Sequence, residues 1–111
     1  MLYTAIAIFA LAAILGLLIL KNWFTNSKTP RSVIYGHGLF AAIGLVLLLL
    51  YMMRSPSNMV TSSLILFAAT AIVGFYMFFR DMKGKFSPMW LAVVHGLTAA
   101  GALVILLFMV M

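Results

Sequence analysis

The sequence predicts an all-α integral membrane protein, a four-helix up-and-down bundle made by duplicating a two-helix hairpin. Three observations predict it. Four apolar runs, at about 2–20, 33–53, 60–79 and 89–110, punctuate the chain. The composition is 67% hydrophobic with a mean hydropathy of +1.26, outside the range of a soluble domain of this size. The chain also matches itself without a gap at an offset of 58 residues.

Each run holds about 20 residues, which at about 1.5 Å per residue spans one hydrocarbon core of roughly 30 Å. In lipid every backbone polar group needs an internal partner, so the runs must be helices. The first, LYTAIAIFALAAILGLLIL, has no basic residue ahead of it and reaches its first positive charge only at Lys21. It reads as a retained membrane helix, longer than the apolar segment of a cleaved signal. The loop KNWFTNSKTPRS leads to the second run, with Pro30 just ahead of it as a helix-start signal. Pro56 breaks the chain before the third run, and Gly84 marks the turn after it. Pro88 precedes the fourth run, where Ser87 is expected to act as a cap.

The repeat falls on costly residues. Gly16 matches Gly74, Pro30 matches Pro88, His37-Gly38-Leu39 matches His95-Gly96-Leu97, and Ala41-Ala42 matches Ala99-Ala100. Repeat units 1–53 and 59–111 thus make one membrane domain over 1–111. Two helices per unit keep both copies in the same orientation, so the expected symmetry is a pseudo-two-fold along the membrane normal.

Charge predicts topology. Lys21, Lys28 and Arg31 lie in loop 1, Arg80, Lys83 and Lys85 in loop 3, and Arg54 alone in loop 2. Loops 1 and 3 are expected to be cytoplasmic, with both termini outside, in a bacterial inner membrane. Trp23 and Trp90 fall near the same boundary as interfacial anchors. The net charge of +6 is thereby assigned to topology and anionic lipid headgroups at the cytoplasmic face, not to nucleic acid. With no Cys there are no disulfides or thiolate sites. No nucleotide-binding glycine loop, HExxH or serine-nucleophile motif is present.

One layer carries the functional expectation. His37 lies six residues past Arg31 and His95 seven past Pro88, so both sit roughly 9 Å inside the basic boundary. Gly16 and Gly74 reach that depth from the other direction. The second and fourth helices are diagonal partners in such a bundle, so His37 and His95 are candidate ligands to the two faces of one haem b iron. Gly16 and Gly74, with Ala12 and Thr70 one turn away, would leave room for the macrocycle. Gly36, Gly38 and Gly96 would thin the helices beside the ligands, and Ala41 and Ala99 continue the same face. Arg31, Arg80 or the lysines would meet the propionates. The arrangement resembles, as a pattern, small membrane b-type cytochromes, which pair helix-borne histidines across a bundle. It departs from di-haem bundles, which use two pairs at two depths. The resemblance implies electron transfer and a redox partner.

Two other readings come from different classes. The His layer could relay protons or gate a transport path, with Thr61, Ser62, Ser63, Tyr3 and Thr4 lining an outer vestibule. Or the chain could be a structural subunit of a larger membrane complex. The patterns Ala12xxxGly16 and Thr70xxxGly74 suit either room inside the bundle or a homodimer contact outside it.

Overall fold

The computed structural model describes residues 1–85 and 87–111. Four helices follow in order: α1 (Leu2–Phe24), α2 (Arg31–Arg54), α3 (Asn58–Met82) and α4 (Met89–Val110). All four are long and apolar enough to cross a membrane. The bundle is 42 Å long and about half as wide, the thickness of a bilayer with its headgroups, about 40–45 Å. The chain is a multi-pass membrane protein. The first three helices run past their apolar runs at the basic end, where Lys21, Arg31 and Arg80 continue as helix. In general, lysine and arginine at the ends of membrane helices keep their charged tips at headgroup level while their stems cover apolar surface.

The connections show why the helices stop. Just past the end of α1, Asn26 turns the chain with a left-handed φ of 55°, and Gly84 does the same after α3 at 72°. Pro30 and Pro88 are the N-caps of α2 and α4 with nearly identical backbone angles. Ser87 does not cap α4: it lies one residue too early, and the proline that follows takes the cap position. The side-chain cap is instead on α3, where Ser57 Oγ accepts from the Val60 N–H at 3.1 Å.

Contacts are dense within the hairpins α1–α2 and α3–α4 and sparser across the α1–α4 and α2–α3 seams. This is the pattern of two copied hairpins laid together. Burial repeats the duplication. The buried residues of α1 are Leu2, Ala5, Phe9 and Ala12, and those of α3 are Val60, Ser63, Phe67 and Thr70, the same four positions 58 residues on. Gly44 and Leu48 of α2 are likewise matched by Ala102 and Leu106 of α4.

The core lies toward the terminal end. Phe9 and Phe67 come from diagonal helices and stack face to face, with centroids 3.8 Å apart and planes within 5°. They are equivalent under the repeat, so the pseudo-two-fold passes between them. Phe9 also needs Gly44, since a Cβ there would come within 2.7 Å of its ring. In the second hairpin Ser63 Oγ donates to the Ala102 carbonyl at 2.9 Å, a bond for which Ala5 has no counterpart group. Thr61 of the expected vestibule donates back to Ser57 O at 2.9 Å. Two of the three clustered hydroxyls thus serve the helix backbone.

Candidate functional site

About seven residues, or roughly 10 Å, toward the basic end lies the second symmetric pair. His37 on α2 and His95 on α4 approach across the other diagonal, with ring centroids 6.1 Å apart and planes at 68°. Both rings are half-buried.

Each imidazole is held inside its own hairpin by the same device. His37 Nδ1 is 2.7 Å from the Ala12 carbonyl oxygen on α1, and His95 Nδ1 is 2.9 Å from the Thr70 carbonyl oxygen on α3. These carbonyls also belong to helix ladders, but a carbonyl has two lone pairs. In most helices the second one is shielded by the side chain one turn on. Here that residue is Gly16 or Gly74. An added Cβ would stand 2.9 Å from Cε1 of His37 or of His95 respectively. The glycine uncovers the carbonyl, and the imidazole occupies the place a side chain would fill. The small-xxx-small pattern therefore does its work within each hairpin.

The chemistry of this unit follows from the acceptor. A peptide carbonyl has no proton to give, so Nδ1 must donate. In the neutral ring Nε2 is then the bare lone pair. Among the described residues neither Nε2 has a hydrogen-bond partner. A Nδ1–H held by a backbone carbonyl is the usual outer-sphere support of a ligating histidine.

The other expected site residues are distributed around this centre. Ala41 and Ala99 are half-buried, and Ala99 packs against the terminal-end core. Gly38 and Gly96 are exposed and have nothing within 4 Å of an added Cβ, so they lie on the outside of the bundle. Arg31 forms an ion pair with Asp81, the chain's one acidic residue, across the α2–α3 seam. Tyr35 meets Phe78 edge-on at 5.9 Å on the same seam. Arg80 lies over the Tyr76 ring, 5.7 Å from its centre. Thr98 donates to its own helix at Val94 O, away from the imidazoles.

The carbonyls of Ala12 and Thr70 were not legible as partners, because sequence spacing alone left several acceptors open to the histidines. The Phe9–Phe67 pair was missed as well, although the 58-residue shift that pairs the histidines also aligns these two residues.

Among the described residues, no cluster of three or more His, Cys, Asp or Glu exists that could hold a bare metal ion. Two imidazole nitrogens suit an ion whose remaining positions are filled by its own macrocycle. Comparison with protein-family models, with curated proteins and with solved structures gives no match.

Proposed function

We propose that the protein is a membrane electron carrier that binds one haem b through His37 and His95. The observation that carries this reading is the paired Nδ1-to-carbonyl bond, which leaves two Nε2 lone pairs in one layer of the bundle. The spacing supports it as well. Metal–imidazole bonds are about 2 Å, so two rings sharing one ion from opposite sides have centres roughly 6 Å apart. The observed separation is 6.1 Å. Bound haem would supply one-electron redox chemistry.

The chain's own residues do the positioning. The Ala12 and Thr70 carbonyls select the tautomer and hold each ring plane. Gly16 and Gly74 open the way to those carbonyls. A group held by both rings is shared between the hairpins, at the seams where the packing is sparser. Arg31, beside Asp81 on the α2–α3 seam, and Arg80, over Tyr76, are the arginines at the basic end that a propionate would meet. Loops 1 and 3 face the cytoplasm of a bacterial inner membrane in this reading, because six of the seven basic residues lie there. Electrons would pass to a redox partner in the same membrane.

The test is an absorption spectrum of gently purified protein from haem-replete cells, oxidised and then reduced with dithionite. The expected result is a Soret band with sharp reduced α and β bands at about one haem per chain. His37→Ala and His95→Ala should each abolish stable loading. Normal haem content in both variants, or a flat visible spectrum from the parent protein, overturns the ligation reading.

A further inference from the structure

The two hairpins are near-copies, and the place where they differ most in polar chemistry lies at the basic end. In the first hairpin Asn22 donates to Thr29 Oγ1 at 3.3 Å, a neutral pair that satisfies itself. The equivalent positions in the second hairpin are Arg80 and Ser87. Here the amide has become a guanidinium. The hydroxyl is 7% exposed and Oγ has no hydrogen-bond partner among the described residues. A buried hydroxyl without a partner costs free energy of order 1–3 kcal/mol in general, so it calls for an acceptor. An anion would satisfy this hydroxyl, and a guanidinium at the position of Asn22 adds matching charge.

The surroundings identify the kind of anion. Arg80 lies over Tyr76. Tyr76 lines an apolar hollow of about 390 Å³ in the groove between α3 and α4, together with Ile72, Val73, Pro88, Trp90 and Leu91. Pro88 follows Ser87 directly and Arg80 lies over Tyr76, so both residues adjoin lining residues of this hollow. Lys83 and Lys85 are exposed in the loop between α3 and α4. A cationic rim above an apolar groove, at the end of a membrane helix pair, matches an amphiphile with an anionic head. We infer that Arg80 and Ser87 form a headgroup site for an anionic phospholipid, whose acyl chain lies in the hollow between α3 and α4. This site is separate from the histidine layer, and its occupancy does not require haem. The phosphate oxygens accept from Ser87 Oγ–H and from the Arg80 guanidinium, and the lysines add long-range attraction. The first hairpin has no such site, because Asn22 and Thr29 already pair and carry no charge.

Trp90 lines the hollow and provides the readout. With Trp23→Phe it is the only tryptophan. The protein is reconstituted in phosphatidylcholine containing increasing phosphatidylglycerol with brominated chains, and Trp90 quenching is compared with that by brominated phosphatidylcholine. The expected preference for the anionic lipid is about five-fold, the strength of one cation–headgroup contact. Arg80→Gln should bring it close to one, and Ser87→Ala should roughly halve it without changing charge. The double change Arg80→Asn with Ser87→Thr rebuilds the pair of the first hairpin, so it should fold and lose the preference. Lys28→Gln, in loop 1, should leave the preference intact. Equal quenching by the two lipids overturns the site, as does a preference that survives both Arg80→Gln and the double change. Loss of the preference in inorganic phosphate, at ionic strength matched with chloride, overturns the lipid as occupant and identifies a free-anion site.

Discussion

The phenylalanine layer and the histidine layer are built by the same symmetry and do opposite things. In each, equivalent residues of the two repeats meet on the pseudo-two-fold. Phe9 and Phe67 touch each other directly, with centroids 3.8 Å apart, and so fasten one hairpin to the other. His37 and His95 spend their Nδ1 hydrogen bonds inside their own hairpins and stand 6.1 Å apart. A glycine assists both layers but with different neighbours: Gly44 admits Phe9, while Gly16 and Gly74 admit an imidazole to a backbone carbonyl. One layer therefore closes the bundle, and in the other each ring is bonded within its own hairpin and stands clear of its equivalent. In a bilayer the lipid tails are as apolar as any core side chain, so tight packing and hydrogen bonds decide which contacts hold.

The largest expected break is Gly16→Leu or Gly74→Leu. Either side chain would displace the imidazole of its own hairpin, expose the loss of the carbonyl bond, and leave the phenylalanine stack about 10 Å away untouched. Haem content in the purified protein should fall at least about ten-fold, equivalent to a loss near 1.4 kcal/mol, while helicity by circular dichroism stays near that of the parent. A Leu variant with full haem loading would separate the glycines from the site.

Gly44→Ala tests the other layer. Its methyl would press into the Phe9 ring, and an overpacked core site costs roughly 1–3 kcal/mol. The effect should appear in a denaturation series in mixed micelles. Ala102, at the equivalent position, already carries a methyl beside the second hairpin's buried residues, so Ala102→Gly should cost less, about 0.5–1 kcal/mol from helix propensity. Equal effects of the two changes would mean that the layer is more symmetric than the Gly44–Phe9 contact implies.

Ser57→Ala removes the side-chain cap of α3 and should cost about 1 kcal/mol, with no effect on either layer. Ser63→Ala removes the bond to Ala102 O and should cost about 0.6 kcal/mol, the average for a hydrogen bond between membrane helices. The small size has a physical reason: the first hairpin folds with Ala5 at the same position. Both are read in the same micelle denaturation series, and a Ser63→Ala loss as large as that of Gly44→Ala would make the second hairpin depend on this bond.

Much of the architecture is readable in the sequence. Run length and hydropathy specify four spans because a bilayer leaves the backbone no alternative to helix. The offset that aligns His37 with His95 and Gly16 with Gly74 implies two parallel hairpins, and the burial pattern of α1 and α3 follows it position by position. Helix termini were less legible. Ser87 looked like a cap and is not one, because Pro88 occupies that place, while Ser57 caps α3 with the same side-chain chemistry.

For the candidate site, sequence determined which residues share a layer: helix rise converts residue number into depth, and duplication pairs the depths. It did not determine which way the rings turn or what they bond. A half-buried histidine has two nitrogens and many carbonyls within reach, and the choice depends on which carbonyl is uncovered at the right rotation of the neighbouring helix. Gly16 and Gly74 decide that only once α1 and α3 are packed against α2 and α4. The same holds for Arg80 and Ser87. Their kinship to Asn22 and Thr29 is written in the 58-residue register, but the buried, unpartnered hydroxyl beside an apolar hollow arises only from tertiary packing, which sets how much water a side chain keeps.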